Sequence, residues 1–457
     1  MRLVLLSGGS GKRLWPLSNE ARSKQFLRVL KDRNGRKVSM VQRIWDQLSK
    51  NDLVDKSIIA TSLSQVEMIT SQLGSDIPIV IEPQKRDTFP AIALAAIYLY
   101  SVQGCSPEEV VGILPVDSLV EDPFFQRIKD LESALVRSSA ELALMGVTPT
   151  FPSSKYGYIV PKEASGEWLT VDHFKEKPDE EDAKKLIDNQ ALWNCGVFAF
   201  KLEYILNILT NKGFPIQYDE LINHYHDLPK NSFDYEILEN AKQMVVLPYE
   251  GAWKDLGTWN TLTEEMEDNM IGKGIISNDV EHSHIINELD IPITLIGISN
   301  VIVAASPDGI LVSDKDASPR VKNFVNEPPR RPMYEERRWG WYRVLEHTKY
   351  KEGNEVLTKR IGIKSGKNLS YQIHFKRSEF WTITKGEGVF VLNDQLSHVR
   401  AGNVIHIPLA ARHAIKATTD MEIIEVQSGS ELIEEDIHRI ELDWDEIEQH
   451  CKKPLML

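Results

Sequence analysis

Short apolar runs separated by amphipathic stretches dominate the first 265 residues. Leu3–Leu6, Ser57–Ala60, Pro78–Ile81, Val110–Leu114 and Leu142–Val147 each read as a buried strand. Residues 40–50, 64–73 and 90–103 repeat apolar side chains at helical spacing. Strands alternating with helices predict an α/β domain with a mostly parallel sheet over residues 1–265. The texture changes over 266–325, where Ile- and Val-rich runs with frequent turn residues predict short strands only, a small sheet or a few β-helical coils. NEPPRRPMYEERR, 326–338, mixes proline with charge and reads as a linker. Residues 339–457 return to strands with glycine turns, which predicts a small β-barrel, before an acidic, partly helical end.

Composition narrows the classes. The 457 residues are 42% hydrophobic and 26% charged, enough for two or three cored domains. A net charge of −14 argues against nucleic-acid or anionic-membrane binding, yet leaves room for a locally basic pocket. Three scattered cysteines, Cys105, Cys195 and Cys451, suggest neither a zinc pair nor a disulfide framework, so a cytoplasmic protein is expected. The apolar start is too short for a signal peptide, and no run approaches a membrane span.

The first strand feeds a glycine cluster, LVLLSGGSGKRLWPLSNEARSKQFL. That arrangement suits phosphate. A Walker loop fails because Leu6 and Arg13 stand where its first glycine and its hydroxyl belong. A dinucleotide fingerprint fails at Leu14. A ligand-free strand–turn–helix connection leaves the basic residues Lys12, Arg13, Arg22 and Lys24 unexplained. Ligands of open α/β sheets sit beyond the carboxyl ends of strands. ILPVDS places Asp117 there, and WKDLGTW places Asp255 in a similar setting. Two such carboxylates beside a phosphate loop suit Mg²⁺, a hard cation that takes oxygen ligands.

GGSGKRLWPLS followed by SKQFL resembles the signature of sugar-1-phosphate nucleotidyltransferases, in the mannose-1-phosphate guanylyltransferase branch. EPQKRDTFPAIALAA, TPTFPSSKYGYI, FKEKP, LWNCGVFAF and SFDYEILE follow in the family's order. The resemblance covers residues 1 to about 265 and implies a Rossmann-like fold. It implies that GTP and mannose 1-phosphate yield GDP-mannose and pyrophosphate, for polysaccharide biosynthesis. It implies catalytic roles for Arg13 and Lys24, and nucleotide contacts at Gly8, Gly9, Glu82, Pro83 and Arg86. Gly157, Glu176, Lys177 and Asn194 would take the sugar phosphate, and Asp117 and Asp255 the Mg²⁺. The chain departs from the pattern at Ser23, where proline is usual, and at Asp87 and Phe89 in the purine segment.

A second signal lies near the carboxyl end. Gln372, His374 and Glu379, followed by His413, have the register of a cupin metal set, suited to Zn²⁺ or another divalent ion. RWGWY, QIHFKRSEFW and EVQSGSELIEEDIHR resemble the carboxyl-terminal domain of bifunctional mannose-6-phosphate isomerase/mannose-1-phosphate guanylyltransferases. That resemblance implies a possible second, isomerase activity, with Arg439 a substrate contact. Here the departures are Phe380 and Lys376 at usual histidine positions, Ala410 and Ala417 for Gly and Asn, and Arg338 for Pro. The departures in the two domains keep an alternative open: at Asp87 and Phe89, a nucleotidyltransferase for another hexose 1-phosphate or NTP, and at Phe380 and Lys376, a cupin that binds ligand or builds a homo-oligomer without catalysis.

Overall fold

A computed structural model describes residues 1–9, 11–165, 167–325 and 331–452. Part of the expected linker, 326–330, and the last five residues of the expected cupin lie outside the described residues.

Among the described residues, nine strands build the first sheet. Ile79–Glu82, Ser57–Ser62, Arg2–Ser7 and Val110–Pro115 lie side by side and parallel. Leu192–Lys201 then enters antiparallel, followed by Leu142–Val147, Met244–Tyr249, Trp168–Lys175 and Tyr158–Ser165. The sheet is therefore parallel on one side and mixed on the other. Both faces are covered, as continuous apolar strands require. Val4, Ile58 and Val80 pack with Phe89 and Ile92 of the helix Thr88–Ile97. Leu3, Leu5 and Ile59 pack on the other face with Phe124, Ile128 and Leu131 of the helix Asp122–Ser138. The helix Met40–Lys50 starts where its sequence allows. Ser39 accepts from the Gln42 amide at 3.3 Å, and the Gln42 side chain accepts from the Ser39 amide at 3.1 Å.

In 266–325 successive short strands stack in parallel. Met270–Ile271, His284–Asn287 and Val301–Ser306 form one face, closed by antiparallel Gly309–Asp314. Gly274–Ile276 and Ile293–Leu295 form another. Ile285, Leu295, Val301 and Val303 fill the space between them.

The carboxyl-terminal domain is a cupin barrel. A six-stranded sheet, from Tyr334–Arg337 through Arg377–Lys385 to Val404–Ile407, faces a five-stranded sheet containing Tyr371–Ile373, His413–Ala417 and His438–Glu441. Its first strand, Tyr334–Arg337, lies inside the stretch that composition suggested as a linker. The acidic end forms the strand His438–Glu441 and the helix Trp444–Lys452.

Candidate functional sites

Register brings the first set of residues to one edge. Ser7 pairs beside Thr61, Ser62 beside Glu82, and Leu6 beside Pro115. The glycine loop, Glu82 and Asp117 therefore emerge together at the carboxyl ends of parallel strands. Gly11 has φ +65°, and a Cβ there would lie 2.0 Å from the Asn19 carbonyl oxygen, so only glycine fits. Two buried glutamines brace the loop from behind. Gln25 Nε2 donates to the Gly8 carbonyl at 3.2 Å, and Gln65 Nε2 to the Gly9 carbonyl at 3.5 Å. Holding the carbonyls inward leaves backbone amides for a ligand.

Lys24 begins a 3₁₀ turn, Lys24–Phe26. Its Nζ lies 2.9 Å from Asp117 Oδ2 and 3.0 Å from Asp255 Oδ1. Asp255 reaches this point because Trp253–Asp255 pairs with Ser118–Val120, in register Asp255 to Ser118. Burial disfavours the ammonium, but the two carboxylates outweigh it and raise the Lys24 pKa above the ordinary lysine value. Lys24 stays charged. Arg13 lies exposed on the loop.

Of the base-segment residues, Glu82 is buried and accepts from the Tyr225 hydroxyl at 2.8 Å; burial raises its pKa. Pro83 is exposed. Arg86 donates to the Leu228 carbonyl from Nε at 3.1 Å and Nη2 at 2.8 Å. The two departures nearby serve the fold. Asp87, at φ +71°, caps the helix by accepting from the Thr88 amide, and Phe89 is fully buried in the core.

Gly157, Glu176, Lys177 and Asn194 form a second group. The Asn194 amide donates to the Gly157 carbonyl at 2.8 Å. A Cβ on Gly157 would lie 2.5 Å from both Glu176 Oε2 and Phe174 Cζ. Lys177 pairs with Glu176 and lies 5.9 Å from the Tyr235 ring centroid. Asp234, which the sequence reading left unassigned, accepts from Asn194 Nδ2 at 2.8 Å. Burial raises the pKa of both Asp234 and Glu176, and Lys177 works against that rise in each. An aromatic wall joins the two groups. Tyr156 lies 4.8 Å from the ring of Trp193, beside Asn194, and 5.5 Å from that of Trp253, on the short strand that ends at Asp255. Burial, then the Asp255 charge, pushes the Tyr156 hydroxyl up to about 12.

In the barrel, strand alternation turns Glu379 and Trp381 inward and Phe380 outward. One nitrogen each from His374 and His413 and one Glu379 oxygen lie within 4.8 Å of one another, all buried. His374 Nδ1 is 2.9 Å from the Asp436 carbonyl, and His413 Nδ1 is 3.1 Å from the Ala411 carbonyl. With Nδ1–H donating, both Nε2 lone pairs face the centre, the arrangement of metal-binding imidazoles. The Gln372 amide lies 3.4 Å from both Nε2 atoms; rotated to point its oxygen inward, it makes a fourth donor. Burial depresses His374 to about 4 and lowers His413 as well, so both imidazoles are neutral and fit to ligate. Burial works against a charged Glu379, yet its pKa is lowered on balance, and with both imidazoles neutral the lasting positive partner is Arg377, whose Nε donates to Glu379 at 2.9 Å. Gln427 Nε2 donates to Glu379 at 3.2 Å and to Glu425 at 2.9 Å. A cavity of about 80 Å³ opens beside this set, with Gln372, Glu379, Gln427 and Arg439 in its wall.

The barrel's departures supply no inward donor, although the Ala410 amide donates to the His374 carbonyl at 2.8 Å and Arg338 borders the cavity. Phe380 stacks on His406 outside the barrel, centroids 4.4 Å apart. Lys376 pairs with exposed Glu431. Ala417 is buried, and Ala410 takes φ +61° in a turn.

Known proteins resemble both halves. Residues 2–270 match the nucleotidyl transferase family, and residues 330–442 match the mannose-6-phosphate isomerase C-terminal family. The chain is 29% identical to a mannose-1-phosphate guanylyltransferase of Salmonella muenchen, covering 96% of this chain and 97% of the relative. It is 30% identical to the xanthan biosynthesis protein XanB of Xanthomonas campestris pv. campestris (strain B100), over 96% and 97% respectively. A solved structure described as mannose-1-phosphate geranyltransferase from Thermus thermophilus superposes with TM-score 0.58 at 26% identity, covering 71% of this chain and 98% of that one.

Proposed function

We propose that this chain, which belongs to the nucleotidyl transferase family, transfers GMP from GTP to mannose 1-phosphate. The observation that carries the reading is Lys24 held between Asp117 and Asp255 at the mouth of a glycine loop. A phosphate oxygen of mannose 1-phosphate attacks the α-phosphorus of GTP in line. The new P–O bond forms as the bond to the β-phosphate oxygen breaks, and pyrophosphate leaves. Two anions must approach each other, so catalysis is positioning plus cation placement.

The Gly8–Gly9 backbone would cradle the nucleotide, and Glu82, Pro83 and Arg86 would border the base. Arg13 would hold the leaving pyrophosphate. Lys24 would stabilise the charge that grows on the α-phosphate. Lys177 would take the sugar phosphate, while Glu176, Asn194 and Gly157 shape the sugar pocket. Asp117 and Asp255 offer oxygen donors around a point already occupied by a cation, which fits a divalent metal. Mg²⁺ there would neutralise phosphate charge.

The cupin reading is a second, metal-assisted activity: proton transfer between adjacent carbons, interconverting fructose 6-phosphate and mannose 6-phosphate. The Nδ1-anchored imidazoles with Glu379 support it, with Zn²⁺ or another divalent ion held also by Gln372 and substrate touched by Arg439. A cytoplasmic role in polysaccharide biosynthesis fits three free cysteines, and no described helix is long and apolar enough to cross a membrane. A pyrophosphate-release assay over a panel of NTPs and hexose 1-phosphates tests the main reading. GTP with mannose 1-phosphate should give the highest kcat/KM. Release with no hexose 1-phosphate overturns it.

A further inference from the structure

The segment that carries Lys24 is fastened from outside its own domain. Arg22, only 7% exposed, makes a two-pronged ion pair with Glu288 of the β-rich segment, Nη1 to Oε2 at 2.9 Å and Nη2 to Oε1 at 2.8 Å. Its guanidinium also lies 5.3 Å from the Tyr334 ring centroid, in the first cupin strand. Upstream, the Asn19 side chain accepts from the Ala21 and Arg22 amides at 3.0 and 2.8 Å and donates to Asp308 at 3.1 Å. Ser306 Oγ donates to the Pro16 carbonyl at 2.7 Å, and Trp259 Nε1 to the Trp15 carbonyl at 3.0 Å. Downstream, Gln25 holds the glycine loop. Lys24 therefore sits between two fixed points, one of them supplied by residues 288–308.

We propose that Arg22 and Glu288 are positioning residues for Lys24, fixing the turn that presents its ammonium to the reacting phosphate. A buried ion pair is weak evidence for stability, because well-packed apolar residues often serve as well. What the fork-to-carboxylate pair supplies is geometry: two parallel hydrogen bonds that set direction as well as distance. A displacement of about 1 Å in a catalytic group is enough to cost about 100-fold in rate. The proposal rests on the guanylyltransferase reading for its rate effect, though the latch has its own readout.

The test uses the full chain with Arg22→Gln, Arg22→Lys, Glu288→Gln and the double Gln variant. Arg137→Gln, which breaks an exposed pair with Glu167, is the control. Pyrophosphate release and hydrogen-exchange mass spectrometry are run on each. Each single Gln variant should lose on the order of 10- to 100-fold in kcat. KM should change far less, and exchange should rise over residues 15–26 with the helix Asp122–Ser138 unchanged. The double variant should be no worse than the singles, because the pair acts as one unit. Arg22→Lys should recover only part, because it keeps charge without the fork. The near-isosteric Glu288→Gln carries the test should Arg22→Gln not fold. Unchanged exchange over 15–26, exchange raised uniformly along the chain, or additive losses overturn the proposal. An unmodified chain without turnover on any substrate pair overturns the substrate reading, and exchange then decides the latch alone.

Discussion

The Lys24 ammonium lies 3.0 Å from Asp255 Oδ1, and Asp117 closes on it from the other side at 2.9 Å. The lysine occupies the point between the two carboxylates proposed to hold Mg²⁺. Under the proposed Mg²⁺ assignment the metal would compete with Lys24 for these two carboxylates. Asp255→Asn and Asp117→Asn should each cut kcat by about 10²–10³, the usual scale for one lost preorganised electrostatic contact. Lys24→Met should do the same while retaining metal affinity. Steady-state pyrophosphate release and titration calorimetry with Mg²⁺ check both. Turnover within threefold of the unmodified chain for Asp255→Asn would refute the assignment.

Gly157→Ala should separate the two substrates. The added methyl would meet Glu176 Oε2 and Phe174 Cζ at 2.5 Å, and Phe174 is buried and cannot yield freely. Glu176 would be pushed out of the sugar pocket while the glycine loop stays as it is. The expected outcome is a rise in KM for mannose 1-phosphate of about tenfold or more, equivalent to a loss of roughly 1.4 kcal/mol, with KM for GTP within twofold. Equal rises for both substrates would point to general damage instead.

Local signals were legible in the sequence. The period-two alternation that turns Gln372 and His374 to one face could be read directly, and so could the strand end before Asp117. Long-range pairings could not. Gln65 braces Gly9 across separate elements, and nothing local distinguishes it from a surface glutamine. Asp234 reaches Asn194 only through the folded sheet. Strand direction is also invisible locally: Leu192–Lys201 is apolar enough for a parallel strand, yet pairs antiparallel on both sides. Composition suggested a linker at 326–338, where Tyr334–Arg337 forms a strand. Its charges find partners, Glu336 with distant Arg28 at 2.8 Å and Arg337 with Glu335, and paired charges bury where unpaired ones cannot.

His284 gives the β-rich segment a pH dependence of known sign. Burial, then the nearby Lys315 charge, depresses it from the ordinary value of 6.5 to about 4. The unfolded chain therefore binds the proton more readily than the folded one. Its stability contribution is complete above about pH 6.5 and is lost as pH falls toward 4. In His284→Phe that loss disappears. Thermal melts from about pH 7 to about pH 4.5 should show the Tm of the variant gaining on that of the unmodified chain as pH falls. Parallel curves would show that His284 titrates alike in both states.

The barrel's departures should matter less than its ligands. Phe380 stacks on His406 on the outer face, while Glu379 and Trp381, its neighbours, point inward. Phe380→His therefore places an imidazole outside the proposed metal site. Metal content and any isomerase turnover should stay within twofold. His413→Ala removes an inward donor that is fully buried and anchored through Nδ1 to the Ala411 carbonyl. Loss of one ligand from a mixed set should lower metal affinity at least as much as loss of a supporting hydrogen bond, which costs about 10- to 100-fold. Elemental analysis after dialysis against a divalent metal, with and without chelator, reads this without depending on catalysis. Because guanylyl transfer is assigned to the other domain, pyrophosphate release by His413→Ala should hold within twofold. A large gain in metal or turnover in Phe380→His, or full metal retention in His413→Ala, would overturn the proposed ligand set.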